Sequence, residues 1–137
     1  MYKKTLLIII CCLSLTAFFA SCDPTKMMEI RTADKPNYFV TIYGNHNMLP
    51  FEGNNSDRKL VLKCPDEHIP TKKKISFYCG MGSWSGEAIT VYAKCFDSIV
   101  IVRNGQKQSF TDQVTIIKYL LKQTRGFRKQ FLIIEAK

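Results

Sequence analysis

From residue 38 onward, apolar residues recur in short runs bounded by turn residues, the pattern of a chain of brief strands. Tyr38 to Tyr43 is a run of β-branched and aromatic residues. Arg58 to Lys63 alternates, with Leu60 and Leu62 on one face. In Ile75 to Cys79, Ile75, Phe77 and Cys79 face one way and Ser76 and Tyr78 the other. Glu87 to Cys95 places Ile89, Val91, Ala93 and Cys95 together, with Thr90, Tyr92 and Lys94 opposite. The last two runs predict a hairpin turning about residue 83. Ile99 to Val102 is apolar at every position and predicts a central strand covered on both faces. Asn104-Gly105 then predicts a two-residue turn, because both positions tolerate the positive φ such a turn requires. Gln106 to Phe110 completes that hairpin.

The period changes after Phe110. Val114, Ile116, Ile117, Leu120 and Leu121 share one arc at about 100° per residue, which predicts a helix over 112–124. Thr111 is the expected N-cap, and Asp112 suits the positive end of the helix dipole. Val114, Ile117 and Leu121 are expected against the sheet, with Lys118 and Lys122 facing solvent. Gly126 suits the position after the helix. Phe127 to Glu135 returns to alternation. The expected fold is α+β: a mainly antiparallel sheet of about seven short strands with one amphipathic helix near the C-terminus.

The first 22 residues follow a different rule. Lys3 and Lys4 precede an apolar run from Leu6 to Ala20, too short to span a bilayer as a helix and typical of a secretory signal peptide. The run ends Phe19-Ala20-Ser21-Cys22, which resembles the lipobox of bacterial lipoproteins, with Phe19 where a branched aliphatic residue is usual. The resemblance covers residues 1–22 only. It implies a signal peptide over 1–21, removed by processing, and acylation of Cys22. Two acyl chains suffice for stable anchoring. Residues 22–36, with Pro24, Pro36 and no periodicity, are expected to form a tether to one globular domain at 37–137.

Anchoring changes the meaning of charge and cysteine. The chain carries 20 Lys+Arg against 11 Asp+Glu, a net +9 over 137 residues, and losing Lys3 and Lys4 leaves +7. Outside the cytoplasm, the anionic partners available to Lys72, Lys73, Lys74, Lys118, Lys122, Arg125, Arg128 and Lys129 are lipid headgroups or envelope polymers; nucleic acid is excluded as a partner there. An oxidising compartment permits disulfides. The predicted hairpin places Cys64 and Cys95 at the same end, so a Cys64–Cys95 bridge is expected, with Cys79 free and buried.

Candidate chemistry is sparse. Gly82-Ser83-Trp84-Ser85-Gly86 has tryptophan where a nucleophile elbow needs serine. Glycines 80, 82 and 86 lack the dinucleotide-binding spacing. His46 and His68 are isolated, and no metal-ligand spacing occurs, so neither metal nor other cofactor is expected. Tyr78-Cys79-Gly80 is similar to the start of one group of lysozyme-inhibiting lipoproteins. That group's Ser-Gly-x-x-Tyr stretch is missing, and a +7 domain would repel a basic lysozyme. Two binding features remain. Trp84 stands in a polar turn where an exposed indole can stack on a sugar or anchor a partner, flanked by Tyr78 and Tyr92 on the outer hairpin face. Lys118, Lys122 and Arg125 form a basic face. The expectation is a membrane-anchored envelope lipoprotein, in the outer rather than the inner membrane, that binds an anionic polymer or another envelope protein without catalysis. A small envelope-polymer hydrolase and a structural lipoprotein are the alternatives.

Overall fold

The computed structural model describes residues 23–44, 60–66 and 68–137. The expected signal peptide, Cys22, His46 and most of the polar loop after Tyr43 lie outside the described residues. Strand β1 (Thr25–Thr32) pairs antiparallel with β4 (Lys74–Met81) and parallel with β8 (Phe131–Ala136). The short β7 (Thr124–Arg125) completes this first sheet on the far side of β8. The second sheet is antiparallel throughout, in the order β3 (Leu60–Cys64), β2 (Phe39–Gly44), β5 (Phe96–Arg103), β6 (Gln106–Phe110). Helices α1 (Gly86–Ala93) and α2 (Gln113–Leu121) follow β4 and β6. The α+β class stands, with two four-stranded sheets and two α-helices among the described residues.

The core lies between the sheets and under the helices. Met28 and Ile30 of β1, Leu132 and Ile134 of β8, Val40 and Ile42 of β2, and Ile99 and Ile101 of β5 all face it. β5 is an inner strand of its sheet, as its apolar run requires. Asn104 and Gly105 take φ values of 51° and 79°, the geometry expected of the turn.

Three expectations are corrected. Residues 25–32 are not tether but an inner strand: Met28, Ile30 and Thr32 alternate into the core, a period hidden by the charged Glu29 and Arg31 between them. The run after Ser85 is helical, not a strand. Ser85 caps α1 by accepting the Ala88 N–H at 3.1 Å, and Glu87 sits in its first turn. Ile89 and Ala93, four apart, are buried, while Val91 points outward. β-branched Ile89, Thr90 and Val91 lower helix propensity, so the cap was the better signal. On α2 the cap is Asp112, whose carboxylate accepts the Thr115 N–H at 2.9 Å. The buried residues there are Ile116 and Leu120; Val114 and Leu121 are exposed.

The cysteines follow from the register. Cys64 lies opposite Val40 on β2, whereas Cys95 precedes Phe96, which pairs with Gly44. Four residues of strand separate those rungs, about 13 Å, beyond disulfide reach. The Cys64–Cys95 bridge is therefore not made, and among the described residues Cys64, Cys79 and Cys95 are free thiols. The expected geometry depended on a hairpin that α1 replaces.

Because Leu120, not Leu121, fills the core, Leu120→Ala should destabilise by about 2–5 kcal/mol in chemical denaturation. Leu121→Ala should cost about 1 kcal/mol or less.

Candidate functional site

Of the aromatic trio expected around residue 84, the fold buries Trp84 and packs a half-buried Tyr92 against it. Trp84 is 1% exposed. Its indole N–H donates to the Met27 carbonyl at 3.0 Å and its backbone N–H to the Lys129 carbonyl at 3.1 Å. Tyr92 packs edge-on against it with centroids 5.0 Å apart, and donates its hydroxyl to the Cys79 carbonyl at 2.8 Å. Burial pushes the Tyr92 hydroxyl up to about 12, so it stays a donor. Trp84 thus ties the turn after β4 to the start of β1 and the segment before β8. Of the three, only Tyr78 remains open to solvent.

The basic face is divided as well. Lys118 and Lys122 are exposed, one turn apart on α2. Arg125 instead pairs with Glu135 at 2.6 Å, and Lys137 approaches the other carboxylate oxygen at 2.8 Å. Glu135 on β8 has a counterpart in Glu29 on the neighbouring β1, which Arg31 and Lys74 flank. Both carboxylates sit on the outward side of the first sheet, covered by these long basic stems. For each, burial alone would raise the pKa. Hydrogen bonds and charge from Lys74 and Arg31 at Glu29, and from Lys137 and Arg125 at Glu135, outweigh that and hold it below the usual value of 4.5.

The surroundings of Cys64, Cys79 and Cys95 all disfavour the thiolate. Burial pushes Cys64 and Cys79 up to about 11, and raises Cys95. Among the described residues no group of three or more His, Cys, Asp or Glu is placed to hold a metal ion.

The open feature of the surface lies elsewhere. A groove of about 500 Å³ is lined by Phe39, Thr41, Lys63, Pro65, Asp66 and Pro70. A hollow of about 430 Å³ shares Lys63 and Asp66 and adds Val61 and His68. A third, of about 300 Å³, shares Phe39 and Pro65 and extends along 34–38 to Lys73. Together they form one depression where β2 begins and β3 ends. Its wall is the 65–73 loop, held by successive turns: Ile69 N–H donates to the Asp66 carbonyl, Lys72 N–H to the Ile69 carbonyl, and His68 N–H to the Asp66 carboxylate at 2.8 Å. Pro65 and Pro70 remove two backbone donors and stiffen the loop. In the 500 Å³ groove itself, phenyl and proline walls with one ammonium, Lys63, and one carboxylate, Asp66, suit an apolar chain segment bearing a few polar groups. Prolines bracketing a loop beside an aromatic strand start were the available sequence signal. The composition had drawn attention to Trp84 instead.

No family model, curated protein or solved structure matches this chain. No helix among the described residues is long and apolar enough to cross a membrane.

The depressed carboxylates set an acid limit. A group with a lowered folded-state pKa adds stability above its unfolded pKa and loses it as pH falls through the folded value. Melting temperature should therefore fall as pH drops below the usual 4.5. Glu29→Gln with Glu135→Gln should flatten that fall while lowering Tm near neutral pH, as thermal scans across pH will read.

Proposed function

We propose that this chain is a lipid-anchored cell-envelope protein, secreted by the signal at 1–21 and held by acyl groups on Cys22. On this reading it acts without catalysis, as a binding module that offers the Phe39–Pro70 groove to an apolar segment of another envelope protein. The observation that carries the reading is the groove's position. Residue 22 lies three residues before Thr25, the first residue of β1. The groove lies at the other end of that strand, where the Thr32 N–H donates to the Lys73 carbonyl and the chain runs through 34–38 into Phe39. Eight strand residues place about 23 Å between the two ends. A domain anchored at one end of β1 therefore presents the groove away from the bilayer. The exposed phenyl of Phe39, at 42%, supplies the kind of aromatic anchor that interfaces use.

Two experiments test the two halves. Cys22→Ala should abolish the acyl mass and release the protein from membranes; unchanged partition and mass would remove the anchor. A photo-reactive amino acid at position 39 of the full chain, in native envelopes, should give a discrete protein adduct that Pro70→Glu abolishes. The same group at position 118 on α2 should not. Equal adducts at both positions, or none at 39, would remove the groove.

A further inference from the structure

The opposite end of the first sheet gathers three pieces of chain. Thr25 of β1 pairs with Met81, and Gly82 donates to the Pro24 carbonyl at 2.7 Å. Met27 pairs with Phe131 and donates to the Gln130 carbonyl at 2.9 Å. The segment from Gly126 to Gln130 therefore lies beside the first residues of β1. A cysteine three residues before Thr25 stays within about 11 Å of it by chain length alone. If Cys22 is acylated, this end has no slack to stand off from the bilayer.

What this end displays is unusual for a surface in water. Phe127 is 81% exposed and Met81 56% exposed. Phe127 does not protrude through looseness. Gly126 takes φ 91°, and both Arg128 and Lys129 take left-handed backbone, φ 58° and 50°. Long side chains seldom adopt that region, and such conformations persist only where surrounding bonds impose them. Here the Lys129 N–H donates to the Gly126 carbonyl at 3.0 Å, and the Lys129 carbonyl accepts the Trp84 N–H. The backbone of Trp84, a residue whose indole is itself buried and bonded to Met27, thus pins a turn that holds a phenyl ring outward. The Arg128 guanidinium sits 5.6 Å from that ring's centroid. Both Arg128 and Lys129 are exposed, and Asp23 alone among the neighbouring residues from 23 to 27 is acidic.

We infer that this end of the domain is a membrane-docking surface, with Phe127 and Met81 entering the headgroup boundary and Arg128 and Lys129 pairing with anionic lipid phosphates. Aromatic and basic residues side by side are the composition of interfacial anchors. A basic cluster near a negative surface adds attraction that falls off within a Debye length. Contact here adds a second hold to the lipid chains and orients the groove outward. The inference rests on the acylation of Cys22 proposed above.

Trp84 is the single native tryptophan and is buried, so an indole introduced at 127 can be read against it. The acylated full chain carrying Phe127→Trp is reconstituted into vesicles of phosphatidylethanolamine and phosphatidylglycerol with brominated acyl chains. Its added emission should be quenched by bromine, and that of a Lys107→Trp chain should not. Quenching should drop when Arg128→Glu is added or when phosphatidylcholine replaces the anionic lipid. Mass spectrometry reports acylation in the same samples. An acylated chain whose indole at 127 is quenched no more than the one at 107 overturns this inference alone. An indole shielded from both bromine and acrylamide overturns it in favour of a protein contact. Quenching indifferent to lipid charge overturns the role of Arg128 and Lys129. A chain with no acyl mass overturns the anchored reading and this inference with it.

Discussion

Everything in this fold depends on pairing its first strand with its last. β1 and β8 run parallel through six registered pairs, from Met27–Phe131 to Thr32–Ala136. Parallel neighbours cannot be joined by a tight turn. Nearly the whole sequence intervenes, forming the second sheet, both helices and β4 before returning. The loop-closure entropy of that contact is offset only when the core between the sheets is also complete. The N-terminal segment is consequently not an appendage. Removing it would expose Leu132 and Ile134 and leave β4 without a partner.

Trp84 serves the same closure from one end. Its indole N–H bonds the start of β1 and its backbone N–H the segment before β8, so a single residue fastens both strands to the turn leading into α1. At the other side of the sheet, Glu29 and Glu135 lie on adjacent central strands and are each met by two basic residues. Part of the chain's positive excess is thereby used internally. Arg31, Lys74, Arg125 and Lys137 belong to the fold's own electrostatics, and net charge overstates the surface available to an anionic partner.

The molecule has a polarity along β1. One end joins the segment that leads to Cys22 and displays Phe127, Met81, Arg128 and Lys129. The other opens into the groove of Phe39, Pro65 and Pro70. The two ends differ in chemistry as well as position. The first combines apolar projections with cations, as a lipid boundary favours. The second is concave, with the few polar groups that a polypeptide partner can meet. Under the function proposed above, such an arrangement lets the domain's own surface, rather than a long tether, set the orientation of the groove.

The sequence by itself determined what local physics can determine. The turn at Asn104-Gly105 needed only residues that tolerate positive φ. The apolar run Ile99 to Val102 marked an inner strand, found at Phe96–Arg103, and the period over 112–124 marked a helix, found at Gln113–Leu121. Tertiary structure decided the rest. Alternation at Ile89, Val91 and Ala93 fits a strand, yet a capped helix won because Ile89 and Ala93 could both reach the core from one face. Charged Glu29 and Arg31 disguised a buried strand: they pair with each other, and the second cation on Glu29, Lys74, stands on a strand distant in sequence. A lone tryptophan between serines read as exposed until the carbonyls of Met27 and Lys129 supplied its hydrogen bonds. The Ser85 cap of α1 is local, but the bonds of Trp84 and the Lys74 contact on Glu29 join residues tens of positions apart, and no pattern within a short window contains them.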